Sequence, residues 1–381
     1  MTAEPFVYQP HDPANIADPY PAFARLRAEQ PVYYWEQGRS WMLTGYDDVV
    51  ALLKDPRFTT DARAWQYFQD AQGIPEEVRR YFAKGLFQLD AEGHARVRKL
   101  VAPVFTPRRA AAREPMIQQV VDELLERADA EGRGVIDLVP DLADPLPLQV
   151  IRRILGISAE HDPAFRAWSL DTIRMVFPGM VPVEELEAAG QRMPAGYALV
   201  RSIIEERRAH PGDDLLSAMI QARDEDDRLD EEELVALVTG LVIAGSETTV
   251  HLVGRCVINL IRHPEVQARV RADLELLPAF VEEVLRNDNF GLGGVVRYAR
   301  EDAEVGGTRI AKGEMVSCML GAAMHDASVF SDPERFDLDR DSTPNISFGR
   351  GPHFCLGAHL ARTEARVAVQ TLLTRFPVLE S

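Results

Sequence analysis

The feature that most constrains this chain is a long helical pattern running from residue 230 to about 262. Asp230 has the chemistry of an N-cap, and Glu233 three residues later completes a capping-box pattern. Pro264 stops the pattern. At about 1.5 Å per residue such a rod is roughly 45–50 Å long, enough to cross a whole domain. Residues 234–244 are apolar on every face, which demands burial all round. That stretch is too short to span a bilayer and reads as a core helix. Yet the middle of the same helix carries Gly245, Ser246, Glu247, Thr248 and Thr249. A buried helix that breaks its own rule at its centre marks a candidate functional site.

The rest of the chain supplies a core large enough to bury such a rod. It has 381 residues, 46% of them hydrophobic, with no internal repeat and no low-complexity linker. The expectation is therefore a single domain over 1–381. Helical periodicity dominates at 19–29, 116–130, 190–210 and 358–375. Strand signals are fewer. Residues 31–45 read as a hairpin turning at Gln37-Gly38, and 305–320 as short strands separated by glycine. The expected fold is mainly α with a smaller β portion.

The formal net charge of -18 excludes a nucleic-acid binder, since phosphate contacts need a basic footprint. Three cysteines, Cys256, Cys318 and Cys355, match no zinc or disulfide spacing. An odd count fits a reducing, cytoplasmic setting. The first residues show no basic-then-apolar pattern, so no membrane anchor is expected.

A second anomaly is the run Phe348-Gly349-Arg350-Gly351-Pro352-His353-Phe354-Cys355-Leu356-Gly357. It places a cysteine in a glycine-rich loop just ahead of a strong helix pattern. A helix N-terminus carries partial positive charge and unpaired N–H groups, which favour thiolate over thiol. Glycines let backbone N–H groups come close to the sulfur. A thiolate held this way suits an iron ligand, and thiolate ligation of haem favours O–O cleavage. An isolated cysteine is more often buried and inert, and Cys256 and Cys318, in apolar regular segments, keep that reading. A zinc site on Cys355 and His353 fails for want of a second ligand pair.

The cysteine run resembles the ligand loop of the cytochromes P450. Three further stretches resemble that family's signatures in the family's order: Ala244-Gly245-Ser246-Glu247-Thr248-Thr249, Glu283-Val284-Leu285-Arg286 and Pro333-Glu334-Arg335-Phe336. His94-Ala95-Arg96-Val97-Arg98 adds to them. The resemblance covers essentially the whole chain. It implies a P450 fold with the long central helix over a buried haem b (iron protoporphyrin IX).

The resemblance also implies roles. Cys355 is the proximal thiolate and iron ligand, with Phe348, Gly349 and Gly357 shaping its loop. Glu283, Arg286 and Arg335 form a buried ion network. His94, Arg98, Arg297 and His353 face the haem propionates. Ala244 and Gly245 leave room for oxygen and substrate. Thr248 supplies a hydroxyl to bound dioxygen, and Glu247 couples that hydroxyl to solvent. A local widening of the helix is expected there, because Gly and Ser/Thr pairs bend helices. The implied activity is a monooxygenase that uses O2 and two electrons to hydroxylate or epoxidise a lipophilic small molecule, such as a polyketide, macrolide or terpenoid. Desaturation, ring coupling or peroxide-driven oxidation are alternatives, and a non-catalytic haem sensor is a reading of another class.

No fused reductase is expected, and electrons are expected from a ferredoxin or flavodoxin with its reductase. Candidate docking cations are Arg96, Lys99, Arg108, Arg109, Arg113 and Arg350. A monomer with no membrane contact is expected. Candidate pocket walls are Trp65, Tyr67, Phe68, Leu86 and Phe87, residues 170–182, residues 241–244, and Gly294-Val295-Val296. The glycine-rich run 287–294 implies a roomy pocket. Relatives of this kind continue past Ser381 into a hairpin that is expected to be absent.

Overall fold

The run Val32-Tyr33-Tyr34-Trp35 is β-branched and aromatic, and it forms a strand because such side chains pack well on a pleated surface. It is β1 (Val32–Trp35), paired antiparallel with β2 (Ser40–Leu43). The turn closes with Arg39 N donating to Glu36 O at 3.1 Å. A Cβ on Gly38 would lie 2.0 Å from the Trp35 ring, so the turn glycine seats the indole. The expected hairpin is present.

These coordinates are a computed structural model, in which residues 6–67, 75–176, 183–224, 229–289 and 294–380 are described. The chain divides into two compact units, Met1–Asp70 with Pro278–Cys355, and Ala71–Leu277 with Leu356–Ser381. The first unit holds the described strands. β3 (Phe58–Thr59), β4 (Val295–Ala299), β5 (Ala303–Val305), β6 (Thr308–Ile310) and β7 (Met315–Cys318) complete the set. A five-stranded sheet runs β1-β2-β7-β4-β3, and β5-β6 form a separate pair. The β2–β7 pairing is parallel, Ser40 opposite Met315, and the others are antiparallel. Its core packs Leu43, Leu52, Phe58, Val316 and Ile346 together. A second cluster joins Phe23 and Leu26 of the helix Tyr20–Glu29 to Met42 and Met319.

The described regular elements of the second unit are all helices. Its axis is the central helix, Glu231–Arg262. The capping box forms as expected: Glu233 N donates to Asp230 Oδ1 at 2.7 Å, and Asp230 N to Glu233 Oε2 at 2.9 Å. Residues Leu234 through Val238 are all buried, so the helix is enclosed on every face there. Its acidic first turn is held by cations from three other helices. Lys84 pairs with Asp230, Arg80 with Glu232, Arg96 with Glu233 and Arg208 with Glu231. Carboxylates in a first turn also suit the helix dipole. By length and composition this helix is apolar enough to cross a membrane, but more than half of its most apolar window is buried inside the protein. The full helix thus outruns its apolar stretch, and burial explains its hydropathy.

Among the described residues three non-glycine positions have positive φ, Arg39, Ala91 and Asp332. Ala91, exposed at the start of the helix Ala91–Val101, has φ +46°. An L-residue there costs about 1–2 kcal/mol, of which glycine's own entropy offsets roughly half. Ala91→Gly is expected to raise stability by about 0.5–1 kcal/mol. A thermal midpoint equal to or below wild type would refute the strain.

Candidate active site

The cysteine loop is built from its own backbone. Gly349 N donates to Ile346 O at 2.7 Å, Phe354 N to Gly351 O at 3.1 Å, and Cys355 N to Phe348 O at 2.9 Å. Gly349 and Gly351 have φ +73° and +77°, which glycine adopts without strain. A Cβ on Gly351 would lie 2.9 Å from Leu53 O, whereas Gly349 and Gly357 have open space. The Cys355 side chain is exposed and in no disulfide. Upstream, Ser347 Oγ donates to Leu285 O at 2.8 Å, and Asn345 Nδ2 to Glu282 O at 3.1 Å. The loop base is therefore fastened to the helix Leu277–Asn287.

That helix carries the buried ion pair. Arg286 donates from Nε to Glu283 Oε2 at 2.9 Å and from Nη2 to Glu283 Oε1 at 2.8 Å. Its remaining donors reach Met324 O, Pro333 O and Arg335 O. The expected third member is corrected. Arg335 is exposed and contributes its carbonyl, not its guanidinium. Arg340 supplies the second cation, its Nε 3.3 Å from Glu283 Oε1. Asp337 N also donates to that oxygen at 2.9 Å. Sequence reasoning missed Arg340 because it lies in an irregular acidic stretch outside any motif.

On the same unit, Arg297 is buried on β4 and donates to Val296 O at 2.9 Å. His353 Nε2 lies 3.5 Å from Thr60 Oγ1. Val295 and Val296 are half-buried.

The second unit holds the other candidates. His94 is buried, and desolvation, then the Arg98 charge, push its pKa below the usual imidazole value, which favours the neutral ring. Arg98 is half-buried one turn further along. On the central helix, Thr248 Oγ1 is exposed and donates to Ala244 O at 2.9 Å. Ala244 and Gly245 are half-buried. The helix is α without interruption from 231 to 262, so the expected widening takes no π- or 3₁₀-turn form. Gly245 proves to have a packing role: a Cβ there would meet Ile151 at 3.3 Å. Glu247 is half-buried, and burial, then the Asp144 charge, push its pKa above the ordinary carboxylate value, while Arg166 opposes them. A carboxyl biased toward its protonated form can hold a proton for delivery.

Three docking candidates are otherwise engaged. Arg96 pairs with Glu233, Arg113 Nη1 donates to Val104 O, and Arg350 to Thr343 O. Lys99, Arg108 and Arg109 are exposed. Of the pocket candidates, Phe68 and residues 177–182 lie outside the described residues, as do 290–293 of the glycine-rich run. Phe87 is 59% exposed, an unusual place for a large apolar ring.

These residues fit a haem. The soft donor is an exposed thiol on a loop with open space at Gly349, and on the same unit Arg297 and His353 suit carboxylate groups. The family model "Cytochrome P450" matches residues 24–381. The chain belongs to the cytochrome P450 family. Among its relatives this P450 is 40% identical to the epothilone C/D epoxidase of Sorangium cellulosum, over all of this chain and 91% of that one. It is 38% identical to the 6-deoxyerythronolide B hydroxylase of Saccharopolyspora erythraea, over 95% and 89%. The crystal structure of epothilone D-bound cytochrome P450epoK superposes with a TM-score of 0.90 at 40% identity, over 98% of this chain and 93% of that one. This P450 is a haem-thiolate monooxygenase, mainly helical with a small sheet portion, of a kind that takes electrons from redox partners.

Proposed function

We propose that this P450 inserts one oxygen atom of O2 into a bulky lipophilic secondary metabolite of the polyketide or macrolide kind, by hydroxylation or epoxidation. Relatives named as an epoxidase and a hydroxylase support that class. The observation that carries the reading is the exposed Cys355 thiol in a P450 ligand loop. Cys355 is the proximal ligand of haem b, with Phe348, Gly349 and Gly357 shaping the loop. Arg98, Arg297, His94 and His353 hold the propionates, and Ala244 and Gly245 line the oxygen side. Haem bound there supplies the iron at which O2 is activated.

The protein's own part is positioning and proton supply. Thr248 offers a hydroxyl whose donor now rests on Ala244 O and is free to turn. Glu247 exchanges the proton with solvent. Electrons come from a ferredoxin or flavodoxin with its reductase, drawn by Lys99, Arg108 and Arg109; such steering is salt-sensitive. The protein works as one domain, a cytoplasmic monomer.

Turnover of a macrolactone panel under ¹⁸O2 with surrogate ferredoxin and reductase tests the class. A product carrying one labelled oxygen is expected; steady NADPH consumption with no labelled product from any of them would sink it. Thr248→Ala is expected to keep the substrate-induced spectral shift while the fraction of NADPH recovered as product falls at least about tenfold, replaced by hydrogen peroxide. Unchanged coupling would remove Thr248 from the proton route.

A further inference from the structure

Glu247 belongs to a cluster that the central-helix signature does not include. Among the described residues it makes no hydrogen bond and no ion pair, although it is half-buried. Two charged groups act on its carboxyl, Asp144 and Arg166. On its own helix, His251 one turn on is held toward the neutral ring by burial, then by Arg255.

Both charged groups stand on helices that pack beside the Glu247 segment. Arg166 and Ser169 lie three apart on the helix Asp162–Val176, so they share a face. Ser169 Oγ lies 3.0 Å from Ser246 Oγ, the residue before Glu247. Asp144 directly precedes the helix Pro145–Leu155, and Ile151, two turns along that helix, is the side chain that packs on Gly245. The two flanking helices therefore bring a carboxylate and a guanidinium within electrostatic reach of Glu247. Within that trio Arg166 is already taken, since its Nη2 pairs with Asp144 Oδ2. The Asp144 side chain is 15% exposed and that of Arg166 56%.

We propose that Asp144 is a positioning residue for proton delivery: by holding Arg166 it keeps that cation from pairing with Glu247, so the Glu247 carboxyl stays able to exchange a proton. An Arg–Glu247 pair would fix the side chain as a carboxylate, because an opposite charge in contact favours the ionised form. A proton relay locked as an ion neither holds nor passes a proton at neutral pH. Asp144 prevents this twice, as a competitor for Arg166 and as a like charge near Glu247. The proposal rests on the reading of Glu247 as part of the proton route.

The test is carboxyl infrared spectroscopy of the substrate-free holoenzyme against pH, with the Glu247 acid band assigned by its loss in Glu247→Gln. Asp144→Asn, close in shape and uncharged, is expected to lower the Glu247 titration midpoint by about one to three units. Arg166→Gln is expected to raise it, and the double variant to lie between. A helix start that was merely disturbed would not give opposite shifts from the two single variants. An Asp144→Asn midpoint equal to wild type overturns the proposal. The pH profile of coupling in the same variants is expected to follow the infrared midpoints. Infrared shifts with an unmoved coupling profile would instead overturn the role of Glu247 in the route, and that of Asp144 in the reaction with it.

Discussion

Cys355→Ser is expected to abolish the strongly red-shifted Soret band of the reduced, carbon monoxide-bound protein and to lower turnover on the order of 10³-fold, about 4 kcal/mol of barrier. The exchange replaces a soft, acidic donor with a hard and far less acidic one of nearly the same size. What is lost is the electron density that a thiolate pushes toward iron. The fold is not expected to suffer. The Cys355 side chain is exposed, and the hydrogen bond that holds the residue is from its backbone N to Phe348 O, which serine keeps. The haem-free variant should therefore match wild type within about 0.5 kcal/mol in denaturant, as surface substitutions do. The two readouts separate ligand from scaffold. A red-shifted band that survives in Cys355→Ser would place the iron on another residue. Cys256 and Cys318 are both fully buried, and burial pushes the Cys318 thiol up to about 12, which makes it a poor thiolate.

What could be read from the sequence was local. The capping box at Asp230, the hairpin at Gln37-Gly38 and the helix Ala358–Arg375 each follow from residues a few positions apart, and each is present. The helix expected at 190–210 spans Val183–Ala209 and carries Pro194 inside it. The cysteine loop was legible because glycine, proline and cysteine together break the surrounding pattern. What could not be read depends on partners far along the chain. Nothing near Arg340 announces that it reaches Glu283, 57 positions earlier. That Gly245 also packs against Ile151 could not be read, because Ile151 comes from another helix. Arg96 looked like a docking charge until Glu233 claimed it, at a separation of 137 residues. Charges in a sequence carry no mark of whether they are solvated or paired, and that choice is made by packing.

The same dependence gives Glu283→Gln the largest expected effect on stability. Glu283 is 4% exposed and Arg286 2% exposed, so neither charge has water to fall back on. Removing the carboxylate leaves two guanidinium groups, Arg286 and Arg340, facing a neutral amide. Breaking a buried pair from one side costs about 3–5 kcal/mol, because the remaining charge stays desolvated. Against a typical net stability of about 5–15 kcal/mol this is a large share. The expected outcome is a denaturation midpoint well below wild type, and haem loss at temperatures the wild type tolerates, since Ser347 and Asn345 tie the ligand loop to this helix. Changing both partners tests the cause. Glu283→Leu with Arg286→Met removes that pair whole, and whole buried pairs are often replaceable by apolar side chains, but the Arg340 charge is still left without its carboxylate. Only partial recovery is expected. Arg286 also donates to the carbonyls of Met324, Pro333 and Arg335. Methionine removes all three bonds, at about 1–3 kcal/mol for a carbonyl left dry and unpaired, while Arg335 O keeps Arg340 Nη2 at 2.9 Å and Pro333 O keeps Asn287 Nδ2 at 3.5 Å. Full recovery in the double variant would make those carbonyl bonds incidental. No recovery at all would mean that the guanidinium acts as a hydrogen-bond hub first and as a charge second.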